Sequence, residues 1–416
     1  MFVTPPCTRR HLPHTSIDST HGSSEPCDVT AGLVLSGKNR PQLDKKSIVV
    51  AIPVKNEADR IGACLRSLGR QTVMPCAVLL LLNNCTDGTG AAVRALAVTL
   101  PYKLHIKCHT LPSPVASAGH ARRMAMQHAA ELAGFGGILL TTDADAVVAH
   151  DWIERNLLAL LAGADLVCGR AVVDPADAAL IPSHLHADDA REFELAELLD
   201  HIAARLDPDP ADPWPRHTEA AGASLAVTVA AFKRSGGIPP VDSGEDRDFV
   251  KALTRIDARI RHDPTVKVTV SGRIHGRAPG GMADTIRRRM CQQDEFVDDS
   301  LEPAIDAYRR IDFRRRVRSA WHEQAAGCAP PKELAADLGI PGPMFQHLVS
   351  RRFFGTSWAE IEARSPLLLR RRVRFTELPG QIAYARQLLE PHAHRAATYS
   401  NPQLLLDVYK GSPEDG

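Results

Sequence analysis

The feature that most constrains this chain is the alternation of short apolar runs with amphipathic segments between residues 48 and 142. Residues 48–52 (IVVAI) and 78–82 (VLLLL) contain no polar side chain, which is typical of strands buried on both faces of a parallel sheet. The other predicted elements in this stretch are two strands, at residues 104–106 and 138–142, and three helices. One helix has the apolar face Ile61, Leu65 and Leu68, and the others cover residues 89–98 and 118–133. Strands that alternate with helices over short connections predict a doubly wound, mostly parallel α/β sheet flanked by helices.

The chain on either side of this alternation has a different character. Residues 1–46 are rich in Ser, Thr, Pro and His without a repeating period, which predicts a disordered N-terminal tail. Beyond residue 286, Arg-rich stretches punctuate amphipathic segments, so we expect helices there. The predicted organisation is therefore a tail at 1–46, an α/β domain at 47–290 and a helical C-terminal extension at 291–416.

Composition excludes several classes of function. Lys and Arg number 50 against 49 Asp and Glu, so no net field favours nucleic acid or an anionic membrane. No run approaches the roughly 18 apolar residues of a membrane span, and the N-terminus lacks the apolar region of a secretory signal. The nine cysteines are scattered without a Cys-x-x-Cys pair, as in reducing compartments. We expect a cytoplasmic protein without nucleic-acid partners or an integral membrane segment; peripheral membrane contact stays open.

Two carboxylates directly follow the predicted strand at 138–142, in the sequence Asp143-Ala144-Asp145. Ligands of doubly wound sheets bind at the carboxyl ends of the strands, and an i, i+2 spacing in extended chain directs both side chains the same way. Magnesium and manganese are commonly held by one or two protein carboxylates together with phosphate oxygens. The alternative is a polar loop that caps the next helix.

A second acidic pair, Glu245-Asp246, follows Gly244 at the start of a predicted helix. Acidic residues in a first helical turn are stabilised by the helix dipole, which is a sufficient structural explanation. The functional alternative is a general base, because a carboxylate beside an acceptor hydroxyl can take its proton as the new bond forms.

Together these segments resemble family 2 glycosyltransferases, which have the GT-A fold. The resemblance covers about residues 47–290 and depends on four segments in order, with three Gly-containing stretches that also fit: Ile52–Glu57, Asn83–Thr89, Asp143–Asp145, Gly244–Asp246, and then Gly222–Ser224, Gly236–Pro239 and Ser271–Gly281. The chain departs from the pattern at the end of the second strand. Such sites usually carry an acid at the end of the second strand, where this chain has Asn83-Asn84, so the nucleobase stays open.

The resemblance implies a role for each matching residue. Asp143, Asp145 and His275 would hold a divalent cation, Mn²⁺ or Mg²⁺. Asp246 would be the catalytic base, with Glu245 orienting the acceptor or serving in its place. The residues that would contact the nucleotide-sugar donor lie at the strand ends, on the helix before the Asp-x-Asp segment and in the late Gly-rich stretch: Pro53, Val54, Glu57, Asn84, Asp87, Arg122, Arg123, Asp143, Arg273 and Arg277.

The implied function is transfer of a hexose from a nucleotide-diphosphate sugar to the hydroxyl of an unidentified acceptor, with inversion at the anomeric carbon. Two alternatives stay open. One is a retaining GT-A enzyme of the type that makes glucosyl- or mannosyl-glycerates. The other is a nucleotidyltransferase with a similar sheet, which normally opens with a Gly-rich phosphate loop; residues 50–54 (VAIPV) contain no glycine.

Overall fold

The computed structural model describes residues 48–113, 116–274, 276 and 281–390, and the predicted tail at 1–46 lies outside them. Eight strands of the described chain form one sheet: β1 (Ile48–Val54), β2 (Ala77–Asn83), β3 (Lys103–His109), β4 (Ile138–Thr141), β5 (Val147–Val148), β6 (Leu166–Val173), β7 (Leu225–Thr228) and β8 (Ile260–Val270). Their order across the sheet is β3-β2-β1-β4-β7-β6-β8-β5. The pairs β3–β2, β2–β1, β1–β4 and β6–β8 are parallel, and the other three pairs are antiparallel.

Helices flank both faces of this sheet and continue beyond it. The first eight are α1 (Ile61–Leu68), α2 (Thr89–Ala97), α3 (Ala118–Ala133), α4 (Trp152–Leu161), α5 (Pro175–Ala178), α6 (Ser183–Leu206), α7 (Val229–Arg234) and α8 (Glu245–Arg255). The remaining six are α9 (Met282–Cys291), α10 (Ala304–Ala325), α11 (Lys332–Asp337), α12 (Gly342–Val349), α13 (Phe354–Arg364) and α14 (Leu378–Leu389). The predicted α/β class with a helical C-terminal extension is confirmed. No described helix combines the length and the apolar character needed to cross a bilayer.

The central strands are apolar because both of their faces are covered. Alternate residues of β1 and β2 pack against α1, α2 and α4 on one side and against α3 and α8 on the other. Trp152 and Phe249, on opposite faces, are both fully buried. Burial of this kind contributes about 1.5–3 kcal/mol for each large apolar side chain, so the sheet is a rigid base for the loops at its carboxyl edge.

Strand β1 extends two residues beyond the apolar run at 48–52, through Pro53 to Val54. Pairing between β1 and β4 stops at Ala51 and Thr141, whereas pairing with β2 continues through Pro53 and Leu81. Proline has no N–H to donate and is tolerated where one side of a strand is free. Pro53 therefore lies where β1 has a neighbour on one side.

The C-terminal helices pack on two elements of the α/β part. Helices α10 and α14 cover α6 with an apolar cluster that includes Leu195 and Val373, and α13 packs against α8. The Asp257 carboxylate accepts hydrogen bonds from the Phe354 and Gly355 N–H groups at 2.7 and 2.6 Å. The start of α13 is thereby fixed to the segment that follows α8.

The Pro-rich segment at 207–215 is a loop, and Asp212 anchors it to the start of β8. Asp212 accepts hydrogen bonds from the His262 N–H at 2.8 Å and from His262 Nδ1 at 2.8 Å. Burial disfavours the imidazolium, but the Cys168 sulfur and the Asp212 carboxylate outweigh it and raise the pKa of His262. Burial likewise opposes ionisation of Asp212, but the bonds from His262 keep its pKa below the ordinary value.

Candidate active site at the carboxyl edge of the sheet

The Asp143-Ala144-Asp145 segment forms a turn directly after β4. The Asp143 carbonyl accepts a hydrogen bond from the Ala146 N–H at 3.2 Å, and the intervening Ala144 is buried. Each carboxylate of the segment meets a different guanidinium: Asp143 pairs with Arg122 and Asp145 with Arg273. The turn therefore connects two ion-pair groups at the edge where ligands of such sheets bind.

The first group is centred on Arg122, whose residue is only 5% exposed. Its Nη2 donates to Asp143 Oδ1 at 2.5 Å and its Nε donates to Glu245 Oε1 at 2.9 Å. Its Nη1 donates to Thr141 Oγ1 and to the Gly222 carbonyl at 2.9 and 2.8 Å. Burial alone lowers the pKa of a guanidinium, but Asp143 and Glu245 outweigh it and raise the pKa of Arg122. The arginine thus joins the Asp-x-Asp turn to the acidic pair at the start of α8.

The second group is centred on Arg273. Its Nη1 and Nη2 donate to the two carboxylate oxygens of Glu57 at 2.7 and 2.5 Å, and Nη2 also lies 3.1 Å from Asp145 Oδ2. This forked arrangement matches the planar geometry of guanidinium and carboxylate. It brings the loop after β1, the Asp-x-Asp turn and the chain after β8 to one place.

Among the residues that the structure describes, the two groups together contain more negative than positive charge. Asp143, Asp145, Glu57 and Glu245 contribute four carboxylates, against the guanidiniums of Arg122 and Arg273. Burial and the neighbouring Asp143 carboxylate raise the pKa of Asp145 to about 6, although Arg273 acts in the opposite direction. A cation beside Asp143 and Asp145 would relieve the repulsion between their two carboxylates.

The donor atoms suit a hard divalent cation. Asp143 and Asp145 offer carboxylate oxygens, which Mg²⁺ and Mn²⁺ prefer, and Mg²⁺ is usually bound through one or two carboxylates plus substrate phosphates. No three Asp, Glu, His or Cys side chains of the described chain are grouped closely enough to hold a metal by themselves. Asp143 and Asp145 fit a cation whose remaining ligands include the oxygens of a diphosphate. His275 and Arg277, also predicted at this site, lie outside the described residues.

The two members of the acidic pair have different surroundings. Glu245 is 6% exposed and its carboxylate is occupied by Arg122. Asp246 is half-buried; its Oδ2 accepts from the Gly222 N–H at 2.7 Å and its Oδ1 from the Arg247 N–H at 2.8 Å. Asp246 therefore keeps access to solvent, whereas Glu245 is fixed inside the protein.

The predicted nucleoside contacts at the ends of β1 and β2 are organised by hydrogen bonds between the loops. Asn84 accepts from the Leu111 N–H at 2.9 Å and donates to the Leu111 carbonyl at 3.0 Å. Asp87 accepts from Thr89 and, through Oδ2, from the Ala58 N–H at 3.2 Å. Both side chains hold loops in place through these contacts.

Three other residues that were predicted to contact the nucleotide-sugar donor lie nearby, and they differ in solvent exposure. Val54 is buried at the end of β1 and its carbonyl accepts from Cys85 Sγ at 3.5 Å, while Pro53 is half-buried beside it. Arg123, on α3, donates through Nη1 to the Ile238 carbonyl at 2.6 Å. This contact ties α3 to the chain that leads into α8.

Two further features of this edge were given no role from the sequence, although Asn83 lies where the family pattern usually has an acid. Asp177 accepts hydrogen bonds from Arg60, Ser271 Oγ and the Gly272 N–H, which fix the chain just before Arg273. Asn83 is 1% exposed, and within the described residues its Oδ1 has no hydrogen-bond partner. A buried unpaired acceptor is costly, so Asn83 is suited to receive an N–H. Only its position at the end of β2 could have drawn attention to it.

Comparison with protein families decides the class of the chain. The family described as "Glycosyl transferase family 2" matches residues 49–210, a range that includes β1 to β6 and the Asp-x-Asp turn. The chain carries a family 2 glycosyltransferase domain. This match confirms the resemblance over residues 49–210, which contain three of the four motif segments, and makes the protein an enzyme of the glycosyltransferase class. No curated protein sequence matches the chain.

Solved structures similar to this glycosyltransferase share little of its sequence. A mannosyltransferase from Pyrobaculum calidifontis, in complex with GDP-Man and Mn²⁺, has 18% identity and a TM-score of 0.39, covering 88% of this chain and 79% of its own. TarS from S. aureus, in complex with UDP-GlcNAc, has 14% identity and a TM-score of 0.41, covering 85% and 93%.

A third similar structure is glucosyl-3-phosphoglycerate synthase from Mycobacterium tuberculosis, in complex with Mn²⁺, UDP-Glc and phosphoglyceric acid. It has 15% identity and a TM-score of 0.34, covering 64% of this chain and 88% of its own. Similarities at this level assign neither donor nor acceptor to the present glycosyltransferase.

Proposed function

We propose that this glycosyltransferase moves a sugar from a nucleotide-diphosphate sugar to an acceptor hydroxyl, in a metal-dependent reaction that inverts the anomeric carbon. The observation that carries the proposal is the position of Arg122, bonded to Asp143 at 2.5 Å and to Glu245 at 2.9 Å. Through it, the carboxylates suited to a metal and the acidic pair suited to proton transfer belong to one site. If each acidic pair had only a structural role, the two pairs would not need to be linked through one arginine.

The donor side is formed by the carboxyl ends of β1, β2 and β4. Asp143 and Asp145 would hold Mn²⁺ or Mg²⁺, which supplies Lewis-acid stabilisation of the diphosphate leaving group when bound. Arg273 would contact the diphosphate, since guanidinium binds phosphate in a forked geometry. We assign His275 as a further metal ligand and Arg277 as a further diphosphate contact.

The nucleoside would lie against the loops after β1 and β2. Pro53, Val54, Glu57, Asn84 and Asp87 form this wall, in which hydrogen bonds between the loops limit the movement of the backbone. A wall of this kind reduces the ordering cost of ligand binding.

The acceptor side is formed by the start of α8, where Asp246 is the base. As the acceptor oxygen attacks the anomeric carbon, Asp246 takes the hydroxyl proton, and the bond from that carbon to the diphosphate oxygen breaks. Both Asp246 oxygens accept a backbone N–H, which holds the carboxylate in one orientation. Glu245, occupied by Arg122, has a supporting role.

Donor hydrolysis across a panel of UDP- and GDP-sugars tests the function, with Mn²⁺ and with excess chelator. We expect turnover of one donor class that requires the metal, and an NMR spectrum of the first-formed sugar that shows inverted configuration. Retained configuration would favour the retaining alternative. Absence of turnover and of nucleotide binding across the whole panel would refute the proposal.

A further inference from the structure

Helix α3 contacts the acid-pair segment, residues 236–247, at several positions in its first two turns. A Cβ atom on Gly119 would lie 2.2 Å from the Val241 carbonyl oxygen, so the two backbones touch. One turn further along α3, Arg122 reaches Glu245, and Arg123 reaches the Ile238 carbonyl. The acid-pair segment is therefore positioned from α3 as well as by its own chain neighbours.

Arg122 differs from the other α3 residues that contact this segment because it reaches both halves of the site. Its four described hydrogen bonds leave from all three guanidinium nitrogens and end on Asp143, Glu245, Thr141 and Gly222. Four of the five N–H groups of the guanidinium are thus used within the protein, and the Arg122 side chain is only 7% exposed. Little of this arginine is therefore available to a diphosphate oxygen.

The backbone of Gly222 extends the same network to the catalytic base. Its carbonyl accepts from Arg122 at 2.8 Å, while its N–H donates to Asp246 Oδ2 at 2.7 Å. A Cβ atom at this position would lie 2.8 Å from the Arg122 Cζ, so glycine is needed for the guanidinium to lie against the backbone. A continuous path of hydrogen bonds thus joins Asp143, Arg122, Gly222 and Asp246.

We infer that Arg122 is a positioning residue, which fixes the base Asp246 relative to the donor carboxylate Asp143 and does not itself contact the diphosphate. The inference rests on the proposed function and replaces the expectation that Arg122 binds the donor. The fixed distance between donor and base matters, because a misplacement of about 1 Å can reduce the rate of an aligned reaction about 100-fold.

The charge on Glu245 explains why an arginine is required. The Glu245 side chain is 8% exposed and that of Arg122 is 7% exposed. A buried carboxylate without its partner is strongly unfavourable, so loss of the guanidinium would drive Glu245 towards water. The start of α8 carries Asp246 as the next residue and would move with it.

The test compares Arg122→Gln and Gly222→Ala with a matched control, Arg310→Gln. Arg310 is another buried arginine, bonded to Glu302, Glu362 and the Leu368 carbonyl in the C-terminal helices. Hydrogen exchange by mass spectrometry is measured for each protein, together with the kcat and KM of donor hydrolysis and nucleotide binding in Mn²⁺. Arg122→Lys is added as the conservative variant.

We expect Arg122→Gln and Gly222→Ala to increase hydrogen exchange at residues 219–224 and 241–249. We expect kcat to fall about 100-fold while KM and nucleotide affinity change little. Arg122→Lys should recover part of the kcat, because it keeps the charge beside Glu245. Arg310→Gln should lower stability and increase exchange in the C-terminal helices, with kcat unchanged.

Two results would overturn the inference. One is a large loss of nucleotide affinity in Arg122→Gln with unchanged exchange at residues 241–249, which is the behaviour of a phosphate contact. The other is an equal loss of kcat in Arg310→Gln, which would indicate a general effect of stability. If the wild-type protein binds and hydrolyses no donor, the proposed function fails, and unchanged exchange in Arg122→Gln would still separately refute the positioning role.

Discussion

Replacement of the proposed base by its amide, Asp246→Asn, should stop the chemistry and leave the donor site intact. The side chain accepts from Gly222 N–H at 2.7 Å and from Arg247 N–H at 2.8 Å. Asparagine is isosteric, and its amide oxygen can keep one of these bonds. Loss of the other costs about 1 kcal/mol of folding stability, which is small beside the effect expected on the reaction.

The magnitude follows from the role of a general base, which contributes typically about 10²–10⁴-fold to the rate. That range equals about 2.7–5.5 kcal/mol of activation free energy. We therefore expect kcat for donor hydrolysis to fall at least about 100-fold in Asp246→Asn, with nucleotide affinity in Mn²⁺ nearly unchanged. Steady-state kinetics and calorimetric nucleotide binding measure the two quantities separately.

The neighbouring variant Glu245→Gln provides the contrast. Glu245 is buried and paired with Arg122 at 2.9 Å, and breaking a buried pair costs about 3–5 kcal/mol. A large decrease in the midpoint of urea unfolding should therefore accompany Glu245→Gln and not Asp246→Asn. Turnover within tenfold of wild type in Asp246→Asn, or loss of its nucleotide binding, would refute the assignment of the base.

Two predictions concern stability away from the reacting atoms. Because the pKa of His262 is raised in the folded protein, its imidazolium stabilises the fold fully below about pH 6.5 and progressively less as pH rises through the folded-state pKa. Because the pKa of Asp212 is lowered, its carboxylate stabilises the fold above about pH 3.9. The difference in melting temperature between wild type and Asp212→Asn should thus be largest between about pH 4 and 6.5, and a pH-independent difference would contradict the ion pair. Separately, a Cβ atom on Gly355 would lie 1.9 Å from the Thr254 carbonyl oxygen, so Gly355→Ala should lower the free energy of unfolding in urea by about 1–3 kcal/mol. Gly380 has open space around it, so Gly380→Ala should not lower it. Equal unfolding midpoints for the two variants would refute the close packing of α13 on α8.

The elements that the sequence predicted well are those whose signal is local. The apolar runs of β1 and β2 and the periodic segment of α3 carry their own pattern, and α3 begins and ends at the predicted residues, Ala118 and Ala133. The sequence did not predict β7 or β8. Strand β8 contains an Asp-Pro pair at residues 263–264, which is typical of a turn, and it forms because β6 and β5 pair with its edges.

The arrangement of the candidate site was predictable only in part, for a related reason. The acidic residues could be located at strand and helix ends, where ligands of such sheets bind. The partners of those residues could not, because they lie far away in sequence: Arg122 and Glu245 are separated by 123 positions, and Arg273 and Glu57 by 216. An arginine on a helix has the same local sequence signal whether it faces solvent or a buried carboxylate.

The central claim is that Asp143 and Asp145 hold a divalent cation that in turn holds the donor diphosphate. Calorimetric binding of UDP and GDP to wild type and to Asp145→Ala, each with Mn²⁺ and with excess chelator, tests it most directly. Metal and nucleotide should strengthen each other's binding to wild type by the same factor, since linkage is reciprocal. Asp145→Ala should weaken nucleotide binding in Mn²⁺ and leave it unchanged in chelator. Nucleotide binding to wild type that is equally tight with and without metal would contradict the claim.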